Sequence, residues 1–95
     1  MPEPLSELIP RLLARLEKEI KETRDRMEEG WRQSIDNELW EWSRPLWMSD
    51  GELLVEVDSS TIIDVLRYKS PEIIKKLNQN LEDTEVSSIR FRLGG

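Results

Sequence analysis

Acidic side chains are the most numerous groups in this sequence that could do chemistry. Asp and Glu together number 20 among 95 residues, and two neighbouring carboxylates can bind Mg²⁺ or act as general acid and general base. Carboxyl groups are usually exposed to solvent, and no spacing here marks a pocket, so we expect solvated surface groups. The closest-spaced candidates are Glu28 with Glu29, Asp36 with Glu38, and Asp58 with Asp64.

The sequence lacks the side chains that most often activate a nucleophile or bind a transition metal. It contains no His and no Cys, which removes the commonest general base, the commonest metal ligand and any disulfide. Ser59 and Ser60 carry hydroxyl groups, but no imidazole is present to activate them, and a helix cap explains serine at this place. The glycines also form no phosphate-binding loop. We therefore expect no enzymatic activity, no metal site, no cofactor and no small-molecule substrate.

Tryptophan side chains are candidates for a binding surface. An exposed indole can stack on bases or insert into a protein partner, whereas a buried indole supplies core volume. The low apolar fraction of 37% favours the core for Trp31 and leaves both interpretations open for the other three. In one extended strand Trp40 and Trp42 would share a face opposite to Trp47, so we expect at least one of them outside. The candidate partner-binding residues are Trp40, Trp42 and Trp47.

Basic residues near the C-terminus are candidates for contacts with nucleic acid. They would form a strip if the last strand lay beside the preceding helix, although an ordinary solvated face is the simpler interpretation. The net charge of −6 opposes tight binding to a phosphate backbone, so we expect DNA binding to be weak or absent. The candidate residues are Lys69, Lys75, Lys76, Arg90 and Arg92.

The N-terminal third of the chain shows a helical pattern. Apolar residues recur every four positions between Leu8 and Ile20, which predicts an amphipathic helix over about residues 5–29. Gly30 is expected to end or loosen this helix, and a short second helix is predicted over about residues 31–37.

Alternating residues then predict a β-hairpin over about residues 39–57. Asp50-Gly51 is the usual central pair of a two-residue hairpin turn. Pro45 interrupts the first strand and favours an edge or a bulge. Leu53, Val55 and Val57 would share one face of the second strand.

Two helices and one strand are predicted to complete the fold. The helices cover about residues 60–68 and 71–81, because Ser70-Pro71 is a typical helix start. The last strand covers about residues 86–93. The prediction is an α+β fold in one domain over residues 1–95, with a three-stranded sheet packed against helices. No apolar run approaches the roughly 20 residues of a membrane span and residues 1–10 do not resemble a signal peptide, so we expect a cytoplasmic protein without membrane contact.

Several short motifs also follow one another in a recognisable order along residues 31–94. They are Trp31, Ile35, Leu39, Ser43-Arg44-Pro45, Asp50-Gly51-Glu52-Leu53-Leu54-Val55-Glu56-Val57, Asp58-Ser59-Ser60, Leu66, Ile74-Lys75-Lys76-Leu77-Asn78, and Val86 with Ile89-Arg90-Phe91-Arg92-Leu93-Gly94. In this order the stretch, about two-thirds of the chain, resembles the DciA family, also called domain of unknown function 721. The resemblance implies a KH-like fold of the α-β-β-α-α-β kind. It also implies a bacterial protein of DNA replication that assists loading of the replicative helicase, with that helicase as its partner.

The chain departs from the family pattern at several positions. Asp36 stands at a usual glycine, Trp40 at a usually small residue, Trp42 at a usual histidine and Ile62 at a usual tryptophan. These changes indicate a repacked core or a changed contact face. The turn at residues 68–71 also lacks the Gly-x-x-Gly loop with which KH domains hold a nucleic-acid backbone, so the binding face is expected to suit protein better than nucleic acid.

Two other functions remain open from the residues. A KH-like domain that binds single-stranded nucleic acid would use the basic candidates together with an exposed tryptophan. A self-associating structural module would use an exposed strand edge and a surface tryptophan.

Overall fold

The order of secondary-structure elements follows the predicted α+β pattern. In a computed structural model, which describes residues 5–82 and 84–94, two helices precede a β-hairpin and a third helix leads to the last strand. The α+β class and the three-stranded sheet packed against helices are confirmed, while the KH-like name of the fold stays a prediction. The elements are α1 (Leu5–Ser34), α2 (Asn37–Trp40), β1 (Ser43–Ser49), β2 (Glu52–Val57), α3 (Ser60–Asn80) and β3 (Ser88–Leu93).

The three strands form one mixed sheet in the order β1-β2-β3. β1 and β2 pair antiparallel, and the turn residues between them, Asp50 and Gly51, have φ angles of 50° and 80°. Positive φ at both central residues is typical of a type I′ turn, whose twist matches that of paired strands. The predicted hairpin is therefore confirmed. β3 pairs parallel with β2 after the crossover through α3.

One extra residue in β1 changes which of its side chains face the helices. Pro45 pairs with Val55 and Trp47 pairs with Leu54, so Leu46 is left out of the register. Such a β-bulge shifts the alternation of side chains by one residue. As a result Pro45 is buried while Trp47 is exposed.

The two faces of the sheet have different surroundings. The core face packs on α1 and α3 and carries Leu53, Val55 and Val57, which are buried as predicted. The opposite face, called the outer face below, points away from the helices and alternates with the core positions. Its residues are Arg44, Trp47, Ser49, Glu52, Leu54, Glu56, Ser88, Arg90 and Arg92.

Side chains from both long helices fill the space above the core face. Trp31 of α1 and Leu66 and Leu77 of α3 are each 2% exposed or less. Full burial of a leucine side chain contributes about 1.5–3 kcal/mol, and the indole buries more area still. Trp31 therefore belongs to the core, as the low apolar fraction of the sequence favoured.

α1 continues through Gly30, where its end was expected, and stops at Ser34. A Cβ atom on Gly30 would lie 2.8 Å from Cδ2 of Leu81, so glycine allows α1 to approach the segment after α3 closely. Glycine inside a helix costs about 1 kcal/mol, but Met27 and Trp31 on either side of it are buried, and their packing outweighs that cost. The short helix expected at about 31–37 is instead α2, at Asn37–Trp40.

The hairpin starts later than the expected residue 39. The backbone N–H groups of Leu39 and Trp40 donate to the Asp36 carbonyl at 2.9 and 3.3 Å, and the N–H of Trp42 donates to the Leu39 carbonyl at 3.1 Å. Residues 39–42 therefore form a helical turn and its exit, and β1 begins at Ser43. The alternating pattern was misleading here because a short helical turn also buries Leu39 while leaving its neighbours more exposed.

α3 is one helix, where two were expected at about 60–68 and 71–81. Pro71 lies inside it and cannot donate a hydrogen bond to the Arg67 carbonyl. Arg67 and Pro71 are both exposed, so water can hydrate that carbonyl, and the Ser70 Oγ donates to the Leu66 carbonyl at 2.9 Å. Burial on both sides of the proline keeps the helix axis continuous.

The segment between α3 and β3 is fixed by one side chain of α3. The Asn78 amide accepts a hydrogen bond from the Val86 N–H at 2.6 Å and donates one to the Val86 carbonyl at 3.0 Å. Val86 is buried but precedes the strand, which covers Ser88–Leu93 rather than about 86–93. The backbone of Val86 bonds to a side chain in place of a neighbouring strand.

The first half of α1 extends away from the other elements. Every residue from Ser6 to Arg26 is exposed, and Met27 is buried. Residues 6–22, called the arm below, give the molecule its longest dimension of 59 Å. The length and apolar character that a membrane-crossing helix requires do not occur together in any helix of residues 5–82 and 84–94.

Candidate partner-binding surface

Trp31 joins the end of α1 to the start of the hairpin. Its indole Nε1 donates a hydrogen bond to the Ser43 Oγ at 2.9 Å, and this hydroxyl donates to the Leu39 carbonyl at 2.9 Å. The chain of two hydrogen bonds satisfies the polar end of a buried tryptophan. Trp31 therefore joins α1 to the start of β1, and at 2% exposed it presents almost no surface of its own.

Trp40 lies at the end of α2 and is half-buried. The Arg32 guanidinium carbon lies 4.4 Å from the centroid of its ring, which is within the range of a cation–π interaction. Trp40, Arg32 and Arg44 line a shallow cleft of about 240 Å³ between α1 and the start of β1. This tryptophan is thus partly exposed at the edge of a recess.

Trp42 and Trp47 are the two most exposed tryptophans, at 48% and 55%. The Trp42 carbonyl accepts a hydrogen bond from the Asp58 N–H at 2.9 Å, so Trp42 lies where β1 begins and β2 ends. Trp47 lies on the outer face opposite Leu54, close to the hairpin turn. Five residues of extended chain separate them by about 16 Å, so they mark two ends of one surface and do not form a single cluster.

Ion pairs cross all three strands between these two tryptophans. Glu56 of β2 accepts from Arg92 of β3 at 2.7 Å and from Arg44 of β1 at 3.1 Å, and Arg44 also pairs with Asp58. Arg92 first, and then Arg44, hold the pKa of the Glu56 carboxyl below its ordinary value, although partial desolvation acts in the opposite direction. The Asp58 carboxylate is the main cause of the raised pKa of Arg44. The outer face therefore carries ordered charges of both signs.

The basic candidates lie in separate places. Arg90 and Arg92 are on the outer face, while Ile89 and Phe91, which alternate with them in β3, pack against the core. α3 carries the lysines behind the sheet, where Lys69 pairs with Asp36 at 3.0 Å. The hydrogen bond between these two groups is the main cause of the lowered pKa of Asp36 and of the raised pKa of Lys69. Lys75 and Lys76 are exposed on the same helix, so the five residues do not make one strip.

The carboxylate pairs considered as acid/base or metal groups have surface roles. Asp36 pairs with Lys69 and Asp58 with Arg44, and Glu29 accepts a hydrogen bond from Gln33 at 3.0 Å. Across residues 5–82 and 84–94, no three acidic side chains come close enough together to hold a metal ion. Asp36 and Asp58 thus form local ion pairs, and Glu29 forms a hydrogen bond within α1.

Two features of the surface were missed by the sequence interpretation. The Arg44–Glu56–Arg92 network depends on which residues of β2 face β3, and that register is not a local property of the sequence. The second feature is a groove of about 370 Å³ between α1 and the segment after α3. In the sequence, only the glycine at position 30 indicated that another segment could approach α1 closely there. Residues that line the groove include Thr23, Met27, Met48 and Leu81.

The chain is thus a small α+β protein with helices behind one face of its sheet and with tryptophans and ordered charges on or beside the other. It belongs to the DciA family: the family model described as "Dna[CI] antecedent, DciA" matches residues 4–91. This match confirms the resemblance seen in the sequence. The family is associated with helicase loading in DNA replication and is not known for catalysis. No curated protein matches the chain.

Proposed function

We propose that this chain acts as a single KH-like domain of the bacterial cytoplasm that contacts the replicative helicase and assists its loading without catalysing a reaction. The observation that carries the proposal is the family match, which spans residues 4–91 of the 95. The chemistry of the surface supports it, because three of the acidic groups considered for catalysis, Glu29, Asp36 and Asp58, form ion pairs or hydrogen bonds at the surface.

The contact surface in this proposal is the outer face with Trp42 and Trp47. Tryptophan is the residue type most enriched among those that dominate protein–protein affinity, and about half of each of these two side chains is exposed. The charges between them are already held by the Glu56 carboxylate, so a partner orders few additional side chains when it binds. A partner surface with its own alternating charges would fit this face.

Trp40 contributes a second part of the proposed contact. Its half-buried ring and the Arg32 guanidinium form the wall of a cleft of about 240 Å³. An apolar side chain of the helicase can enter this cleft and exclude water from the ring. Trp40 then adds a contact beside the start of β1 to those made by Trp42 and Trp47.

The test is the affinity of the purified chain for the replicative helicase of the same bacterium. We expect direct binding in a titration, and we expect Trp47→Ala to weaken it at least about tenfold, which is the usual scale for a dominant interface tryptophan. The matched control is Tyr68→Ala, because Tyr68 is 88% exposed and lies on α3, away from the outer face. An absence of binding by the unchanged chain would reject the function. Equal losses in the two variants would reject the surface.

DNA affinity in this proposal is weak or absent. Arg92 is held by Glu56 and Lys69 by Asp36, and the lysines and arginines lie on different sides of the sheet. Single-stranded nucleic-acid binding through these residues would instead give tight, salt-dependent binding of an oligonucleotide together with quenching of tryptophan fluorescence. Observing both signals at moderate salt would replace the helicase proposal with that function.

A further inference from the structure

The arm carries a row of exposed aliphatic side chains. Leu8, Ile9, Leu12, Leu13, Leu16 and Ile20 are 38–52% exposed. Most of the stability of helices in proteins comes from packing of their apolar side, and contiguous exposed apolar patches mark interaction sites. The arm therefore has the composition of a helix that is packed against another surface.

The spacing of these residues matches a coiled-coil seam. Ile9, Leu13, Leu16 and Ile20 are separated by four, three and four residues, and the same rhythm continues through Thr23 to Met27. Alternating steps of three and four are typical of helices that pack on another helix with interlocking side chains. The seam thus requires a helical partner with the same period, and a second copy of this chain supplies one.

The seam is the continuation of the face with which α1 contacts its own core. Seven residues, about two turns, separate Leu13, Ile20 and Met27, so these side chains lie in one line. Met27 is buried against the other elements of the same chain, and the arm is exposed. The other elements therefore cover the seam only towards the C-terminal end of α1, and the seam stays open along the arm.

We propose that two copies of this chain associate through their arms, which pack antiparallel along this seam. In a parallel pair the C-terminal ends of the two α1 helices would lie together. The other elements of each copy cover the seam there, so the two copies would clash. In an antiparallel pair they lie at opposite ends. The register that fills the seam places Ile9 opposite Ile20 of the second copy and Leu13 opposite Leu16 of the second copy.

The charge of the arm favours a second copy over a membrane surface. The arm has four acidic and four basic side chains, and helices that lie on membranes have a predominantly basic polar side. Two neutral arms also meet without repulsion, although the whole chain has a net charge of −6. The charged residues of the arm are Glu7, Arg11, Arg15, Glu17, Lys18, Glu19, Lys21 and Glu22.

In the proposed dimer, the start of each arm lies at the groove between α1 and the segment after α3 of the other copy. In the proposed register, Ser6 of the second copy lies opposite Thr23. Thr23 and Met27 form one wall of the groove of about 370 Å³, and Leu81 forms another part of it. The start of the second arm thus lies at this groove, where the seam side becomes occupied by the remainder of the molecule.

The small size of the seam determines the expected affinity between the two copies. Residues 8–20 span about 18 Å of helix, and small interfaces give weak or transient association. We expect a reversible dimer with a dissociation constant on the order of micromolar. This association differs from the strand-edge association considered from the sequence, because it involves neither the sheet nor a tryptophan.

The first test is sedimentation equilibrium of the pure chain from about 5 to 500 μM, without helicase. We expect a shift from monomer to dimer, and we expect Leu13→Glu with Leu16→Glu to weaken association at least about tenfold, because two charges would be buried in the seam. The matched control is Tyr68→Glu, which adds a charge at an exposed residue outside the arm. Near-ultraviolet circular dichroism, which reports the packing of the tryptophans, checks that each variant remains folded. A monomer at every concentration would overturn the proposal, as would equal weakening by the control.

The second test determines the orientation. The chain has no cysteine, so spin labels can be attached to single variants Glu7→Cys, Ala14→Cys and Glu22→Cys. In the antiparallel register the two labels at residue 14 lie nearly level, whereas two labels at residue 7, or at residue 22, are offset by about 22 Å along the helix axis. Equal distances at all three positions would indicate a parallel pair and overturn the proposal. Loss of helicase binding by the arm variant, with the free chain monomeric, would assign the arm to the helicase instead.

Discussion

The indole N–H of Trp31 and the hydroxyl of Ser43 form a buried hydrogen bond of 2.9 Å between the end of α1 and the first residue of β1. The Ser43 hydroxyl in turn donates a hydrogen bond to the Leu39 carbonyl, so this one side chain satisfies two buried polar groups. We expect Ser43→Ala to lower the free energy of unfolding by about 1–3 kcal/mol, because both groups lose their partner. Urea titration measures the change. Ser49→Ala, at the exposed end of the same strand, is the control and should change it by less than about 0.5 kcal/mol.

Trp31 and Trp47 should respond in opposite ways to removal of the indole. We expect Trp31→Ala to cost about 3–5 kcal/mol of unfolding free energy, since it opens a cavity in the core. We expect Trp47→Ala to change that free energy by less than about 0.5 kcal/mol, since more than half of this side chain is already exposed (55%). The measurement is again urea unfolding, followed by circular dichroism so that loss of a fluorophore does not interfere. A large loss of stability in Trp47→Ala would show that this side chain packs within the protein.

Asn78 should stabilise the connection between α3 and β3. Its amide makes both hydrogen bonds to the backbone of Val86, at 2.6 and 3.0 Å, and no aliphatic side chain can replace them. We expect Asn78→Leu to lower the unfolding free energy by about 1–3 kcal/mol, through two unsatisfied backbone groups. Amide hydrogen exchange at Val86 should become faster in the same variant. Gln79→Leu, one residue further along the same helix and exposed, is the control; an equal effect there would contradict the role of Asn78.

The acid stability of the protein should depend on Glu56. The hydrogen bond from Arg92 is the largest cause of the lowered pKa of this carboxyl in the folded protein, whose ordinary value is 4.5. A carboxyl with a lowered folded-state pKa contributes stability above its unfolded-state pKa and loses that contribution as the pH falls through the folded-state value. We therefore expect thermal stability to decline below about pH 4.5, and we expect the decline to be shallower in Glu56→Gln.

The control for this pH dependence is Glu38→Gln, which removes the same charge from an exposed position of α2. Its stability profile should follow that of the unchanged chain. Asp36 also has a pKa lowered by Lys69, so some pH dependence should remain in Glu56→Gln. Superimposable profiles for Glu56→Gln and the unchanged chain would contradict the role of the network.

Local features of the fold could be predicted from the sequence, and features that depend on distant contacts could not. The hairpin was predictable because Asp50 and Gly51 determine its turn themselves. The sequence wrongly predicted that the helix ends before Pro71. Burial of Leu66 and Ile73 on either side of this residue outweighs the tendency of proline to break a helix. The α1 end at Gly30 was wrong for a similar reason. In both cases tertiary packing overrides a local signal.

The candidate surface shows the same division. The sequence was sufficient to name the tryptophans and to favour the core for Trp31, since a chain with few apolar residues needs large side chains inside. It could not show that Arg92 faces Glu56, because the parallel register of β2 and β3 is set across the α3 crossover. It also could not show that Lys69 is paired with Asp36, which is 33 residues away. Those two pairings separate the basic residues that appeared to form one strip.

The bulge at Leu46 shifts the alternation of side chains between the two faces of β1 by one residue. Before it, the odd-numbered side chains Ser43 and Pro45 are buried, and after it the even-numbered Met48 packs on the core while Trp47 is exposed. Deletion of this single residue would remove the bulge and leave the pairing unchanged, with Trp47 opposite Leu54 on the outer face and Met48 opposite Leu53 on the core side. The presence of a tryptophan on the outer face therefore depends on Leu46 remaining unpaired: if Leu46 took the place opposite Leu54, Trp47 would move to the core face and Met48 to the outer face.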